Sequence, residues 1–351
     1  MSAPASAIQH QILAIANNVA YEHALSTRWS TWHFWKHYHK ISHTNAIAKD
    51  DETLSTEIRQ LTSPFGSCVD IAFQTTAALR AHLASEPSLQ PYAAHVQTLA
   101  RPRSTTSADL VHCITALFEE HFCIVIDFSC SFTAMAIALN DHVDSLPYLS
   151  MDGKTMQDRL HYCEPAHSSQ TAQRTLTRQR LGADALPTPF TAFDDRHLIR
   201  NISFRIAELV DDVGGVVLPR AKGVKLHAQL PSRPTCIPSV LCKGTYFATT
   251  CRVKADFAQR QVVMQVPYQD WMLQPANASL RDRVSKVGIL QPISDAVCRL
   301  VLKLDGPRDR SPVKERVGVL GEVAEAFGLP NEDFGDMVDS VYGVWAGANV
   351  G

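Results

Sequence analysis

Cys68, His112 and Asp127 are the residues whose types and order suit nucleophilic catalysis. In such chemistry a thiolate attacks a carbonyl, an imidazole takes the thiol proton, and a carboxylate fixes the imidazole tautomer and supports its charged form. Any one of nine cysteines in 351 residues is commonly a small buried hydrophobe. The chemical reading therefore depends on the elements that would bring the three side chains together.

Cys68 follows a turn-forming stretch, Thr62 to Ser67 (TSPFGS), and precedes an apolar-periodic run. Ala72, Phe73, Thr76, Leu79 and Leu83 recur at helical spacing, with Ser63, Pro64, Gly66 and Ser67 as start signals. A thiol in the first helical turn feels the positive end of the helix dipole, and a neighbouring imidazolium lowers its pKa further. Cys68 is expected to be a reactive thiol on these grounds. Asp70 is read only as a first-turn acid that stabilises the helix.

Val111 to Phe118 (VHCITALF) and His121 to Cys130 (HFCIVIDFSC) are rich in apolar and β-branched residues, and Glu119-Glu120 separates them as a hairpin turn. With the turn centred between those glutamates, His112 stands directly opposite Asp127. Opposed residues share a face with Cβ atoms roughly 4.5–5.5 Å apart. Asp141 and Asp144 are the alternative acids should the register differ.

The order of helix-start cysteine, strand histidine and next-strand aspartate resembles the transglutaminase-like and papain-like cysteine superfamily. The segments 65–72 (FGSCVDIA) and 111–131 (VHCITALFEEHFCIVIDFSCS) are most similar to its arylamine N-acetyltransferase branch. The resemblance covers positions 60–131 and implies Cys68 as nucleophile, His112 as base and Asp127 as orienter. It implies an acyltransferase working through a thioester, with a catalytic helix-and-sheet half beside a β-rich part. The chain departs from that branch in three places. Ser63-Pro64-Phe65-Gly66-Ser67 replaces its Arg-Gly-Gly lead, Val69-Asp70-Ile71-Ala72 replaces its aromatic-Glu-x-Asn continuation, and Phe128 to Phe132 replaces its glycine-rich stretch. Nothing in these residues calls for acetyl-CoA.

The composition is that of a globular protein, with 45% apolar and 19% charged residues. A formal charge of −2 without a basic cluster argues against a nucleic-acid partner. No apolar run approaches the ~18 residues of a membrane helix, and the first twenty residues lack a signal-peptide pattern. An odd cysteine count without CxxC or zinc spacing fits a reduced, cytoplasmic setting. His33 and His37, and His39 and His43, stand four apart but lack a thiol or carboxylate partner at suitable spacing, so no metal site is expected. Neither GxGxxG nor GxxxxGK[ST] occurs.

The expected fold is α+β: a helical segment and an antiparallel sheet carrying the Cys-His-Asp triad over 1–150, a polar crossover over 151–195, and a β-rich part with a helical C-terminus over 196–351. Residues 5 to about 60 read as helices. Leu198–Val213 reads as a further helix and Val213–Leu218, Val224–Leu230, Ser239–Val253 and Arg260–Val266 as strands, the last two joined by a hairpin at 255–258. Helix returns from Pro312. The expected function is cysteine-dependent acyl transfer to a small molecule, forming an amide or ester. No cofactor is required, and an acyl thioester is left open as co-substrate. A thiol amidase or peptidase, and a non-catalytic binding protein on the same fold, are the alternatives.

Overall fold

The computed structural model describes residues 3–26, 28–29, 57, 60–61, 65–66, 68–102, 110–128, 131, 133–145, 147–149, 155–164, 174–182, 186–193, 225–229, 250–256, 261–295, 297–303, 311–326, 334–335 and 338–339. It is an α+β structure of helices and largely antiparallel sheets.

Helix α1 (Ala3–Ser26) opens the chain. Ser26 Oγ donates to the Glu22 carbonyl at 2.8 Å, and the extended β1 (Arg28–Trp29) follows, so the helical reading of 5–60 is corrected at this point. β2 (Phe65–Gly66) pairs in parallel with β1, so this part of the expected turn before Cys68 is strand. That pairing ties the approach to the site helix to the end of α1. Helix α2 (Cys68–Ser85) then begins at the cysteine, as its periodicity predicts.

The next strands are β3 (Val96–Pro102), β4 (Leu110–Phe118), β5 (Phe122–Ile126), β6 (Met135–Ala138), β7 (Asp141–Asp144), β8 (Tyr148–Leu149), β9 (Thr155–Cys163), β10 (Thr175–Leu181), β11 (Thr188–Pro189) and β12 (Thr191–Ala192). One sheet runs β12-β3-β4-β5-β6, and a second runs β11-β10-β9-β7 with β8 also on β9. The stretch 151–195 was expected as a crossover and instead carries strands of both sheets. Its polar appearance comes from alternation: in TLTRQRL, Leu176 and Arg178 are buried while their neighbours are only partly so.

Alternation also explains the layering. Leu117, Phe122, Ile124 and Ile126 pack against Ile12, Ala16, Val19, Leu79 and Leu83 of the two helices. Leu99, Ile114, Ala116, Cys123 and Val125 face the other way, onto Leu160, Tyr162 and Leu176 of the second sheet and Phe190. β5 is buried on both faces, which is why it reads as an unbroken apolar run.

A line of buried hydroxyls docks α2 on this sheet. Thr98 Oγ1 donates to Thr76 Oγ1 at 2.9 Å, Thr76 and Thr115 share a bond of 3.0 Å, and Thr115 Oγ1 donates to the Ala72 carbonyl at 2.9 Å.

A third, antiparallel sheet is formed by β13 (Lys225–Gln229), β14 (Thr250–Asp256), β15 (Gln261–Pro267), β16 (Leu290–Pro292) and β17 (Val297–Lys303) in the order β13-β14-β15-β17-β16. β14 and β15 pair as the expected hairpin requires, but Ala255 and Asp256, expected in its turn, are strand residues paired with Val262 and Gln261. Helix α3 (Ala278–Lys286) lies between β15 and β16 and has no counterpart in the sequence reading, because Val284 is its one buried residue and leaves little apolar stripe. Helix α4 (Ser311–Ala326) is the expected C-terminal helix. His33, His37, His39 and His43, and the expected helix Leu198–Val213 and strand Val213–Leu218, lie outside the described residues. Among the described residues no helix is long and apolar enough to cross a membrane.

Because α2 carries Cys68, the hydroxyl line sets the depth of the site helix. Thr76→Val keeps the shape but leaves the buried Thr98 hydroxyl without its acceptor, while Thr115 keeps its bond to the Ala72 carbonyl. Urea denaturation should register a loss of about 1–3 kcal/mol, the cost of leaving buried polar groups unpaired.

Candidate active site around His112

The hairpin joining β4 and β5 turns one residue later than the sequence suggests. Thr115 pairs with Ile126 and Phe118 with Cys123, and the Glu119 N–H bonds the Phe122 carbonyl at 2.9 Å. Glu119 is held in line with the strand from two sides. Tyr162 Oη donates to its carbonyl at 2.7 Å and His95 Nδ1 contacts its carboxylate. The turn is thereby moved onto Glu120 and His121. Moving its centre by one residue shifts the pairing by two, so the directly opposed arrangement of His112 and Asp127 is corrected to a diagonal one. The faces are unchanged, because a shift of two preserves the strand alternation. Diagonal neighbours ~7–8 Å apart remain within reach of an imidazole.

The contact forms: His112 Nε2 lies 2.9 Å from Asp127 Oδ1. Asp127 is 1% exposed and the His112 side chain 13%. Phe190 packs on the imidazole at a ring separation of 6.5 Å.

Asp127 is held from its other side by an arginine that the sequence reading missed. Arg178 Nη1 donates to Asp127 Oδ2 at 3.0 Å, and Nη2 donates to Asp158 Oδ2 at 2.6 Å. Arg180 Nε adds a bond of 3.2 Å to Asp158 Oδ1. The result is a continuous line from His112 through Asp127, Arg178 and Asp158 to Arg180, crossing from the first sheet to the second. A signal was present in the sequence: arginines alternate at 178 and 180 on the face where Leu176 is buried. Asp144, one of the alternative acids, instead receives Arg159 Nε and Nη2 at 2.7 and 2.9 Å, and Asp141 lies exposed beside it on β7.

Cys68 lies on the helix side of the sheet. It packs with Val69, Ala72, Ala100 and Cys113, and the backbone N–H groups of Cys113 and Val69 act on its sulfur, each favouring the thiolate. Cys113 directly follows His112, and β5 has left the β4 ladder by this level. Thus His112 and Asp127 are brought into contact, and Cys68 is brought to the strand backbone next to them. Among the described residues, no hydrogen bond joins the sulfur to the imidazole.

The electrostatics correct the expectation of a primed thiolate. Burial pushes the Cys68 thiol up to about 11; the Cys113 N–H opposes this, while the charges of Asp70 and Asp127 add to it. Desolvation is the largest influence on this thiol. His112 is held below its usual value, first by burial and then by Arg178 and Arg101, against the opposing pull of Asp127. Both groups are therefore neutral near pH 7. Among the described residues no group of three or more His, Cys, Asp or Glu is placed to hold a metal ion.

No family model matches the sequence and no curated protein matches it. Among solved structures, the chain is similar to the arylamine N-acetyltransferase from Mycobacterium abscessus, with a TM-score of 0.41 and 12% identity over 94% of this chain and 88% of that one.

Two outcomes follow from the buried charges. Arg178→Met leaves Asp127 and Asp158 buried without their shared cation and should cost about 3–5 kcal/mol in chemical denaturation. The lowered pKa of His112 means that the unfolded chain binds this proton more readily. Its contribution to stability is present above the unfolded value near 6.5 and is lost as pH falls below it. Melting curves between pH 7.5 and 5 should show a smaller drop for His112→Gln than for the parent.

Proposed function

We propose that this protein is a cysteine-dependent acyltransferase acting on a small molecule, with Cys68 as nucleophile, His112 as base and Asp127 as orienter. The observation that carries this reading is the position of the Cys68 sulfur. It sits at a helix start against the N–H of Cys113, the residue after a histidine already hydrogen-bonded to a buried aspartate.

With Nε2 on Asp127, the imidazole takes the thiol proton through Nδ1. Because both groups rest neutral, the proton moves as the sulfur attacks the acyl carbonyl, with no standing thiolate–imidazolium pair. The carbon–sulfur bond forms, the donor's leaving group departs with the proton from His112, and a thioester remains. An amine or hydroxyl then attacks that thioester, giving up its proton to His112 and regenerating the thiol as amide or ester forms. The N–H of Cys68, at the helix start, is the donor for the oxyanion. The catalytic unit under this reading extends from α1 to Phe193, since Arg178 and β12 belong to it. The sequence resemblance to the arylamine N-acetyltransferase branch supports the same reaction class.

A second reading, a binding protein without turnover, is favoured by one observation: the resting thiol is raised to about 11. Hydrolysis differs from transfer only in the acceptor, so adding an amine separates the two.

Incubation with p-nitrophenyl acetate followed by intact-mass and peptide analysis tests the proposal. An acetyl group should appear on Cys68 and pass to an added arylamine. It should be absent in Cys68→Ala, and Asp127→Asn should slow turnover on the order of 10⁴-fold, as in other triads where the wrong tautomer results. Acetylation spread over other thiols, or Asp127→Asn at the parental rate, would favour the binding protein.

A further inference from the structure

Arg101 lies directly opposite His112 across β3 and β4, and the pairing shifts register immediately after it. Such irregularities re-aim side chains and are common beside active sites. Leu99, two residues earlier, faces the second sheet, so strand alternation puts Arg101 on the face shared by His112, Asp127 and Arg178.

The charges around Arg101 do not balance. Asp127 is taken by His112 and Arg178, and Asp158 by Arg178 and Arg180. Arg101 is left as the guanidinium of this group without an ion pair among the described residues. Its Nε is shut off from solvent and has no hydrogen-bond partner. Burial and the nearby Arg178 lower its pKa, whereas Asp127 and Asp158 attract it from beyond contact. A partly buried cation in this condition is costly unless an anion joins it.

We propose that Arg101 is the anchor for a carboxylate on the small-molecule substrate, setting that molecule beside His112. Among the described residues the surplus of this group is one positive charge, three arginines against two aspartates with His112 neutral, which matches a monoanion. The planar guanidinium fork also suits a carboxylate held through two parallel hydrogen bonds. A phosphate dianion would leave a second negative charge unmatched. This inference rests on the acyl-transfer reading for the meaning of "substrate", but the binding event itself does not require turnover.

Calorimetric titration of the full chain with benzoate, benzamide and phenyl phosphate is the test. Benzoate should bind the parent, benzamide should not, and Arg101→Gln should weaken benzoate by about tenfold or more. Cys68→Ala should bind benzoate like the parent while forming no acetyl adduct, which separates failure of this subsite from failure of the transfer reaction. Without ligand, Arg101→Gln and Arg101→Met should melt at or above the parental temperature, because each removes an unpaired cation. No benzoate binding by the parent, unchanged affinity in Arg101→Gln, equal binding of benzamide, or tighter binding of phenyl phosphate would overturn the carboxylate assignment. Failure of both variants to fold would also overturn it, by making Arg101 a structural residue.

Discussion

The buried guanidinium of Arg178, held between Asp127 and Asp158, is the interaction on which the site depends. Two carboxylates in an apolar interior repel each other and demand solvation that the protein interior does not supply. One planar cation satisfies both at once, each through its own nitrogen. It thereby locks the second sheet against the first at the level of His112. Asp127 is left with one oxygen committed to structure and the other to the imidazole.

This arrangement has an electrostatic consequence for the chemistry. The aspartate alone would make His112 more basic, but Arg178 and Arg101 oppose it and burial dominates. The imidazole is consequently a neutral acceptor, ready to take a proton at neutral pH. Cys68 is buried too and keeps its proton, so the site stores no thiolate–imidazolium pair. Its reactivity, as proposed, arises only when a substrate carbonyl gives the sulfur's electrons somewhere to go.

The layered architecture explains how the residues reach one another from opposite faces. Odd-numbered residues of β4 meet the helices and even-numbered ones meet the second sheet. Cys68 and His112 therefore approach the same strand from different sides. The end of the β4–β5 ladder removes the barrier between them and leaves the Cys113 N–H outside that ladder, where it acts on the sulfur. A longer β5 would have kept that N–H within the ladder.

The sequence alone determined the helix beginning at Cys68, because its apolar spacing and first-turn signals are local. It also determined the hairpin carrying His112 and Asp127, since two apolar runs around a polar break have few other uses. It placed both residues on one face correctly despite missing the turn by one position, because a shift of two preserves the alternation. Only the tertiary structure decided which residues surround that pair. Arg178 reads as part of a polar segment, and its burial is intelligible only once Asp127 and Asp158, far apart in the chain, are seen to need one cation. The protonation of Cys68 was likewise beyond sequence reasoning. A helix start is a local property, whereas the desolvation that raises the thiol comes from strands brought in from elsewhere in the fold.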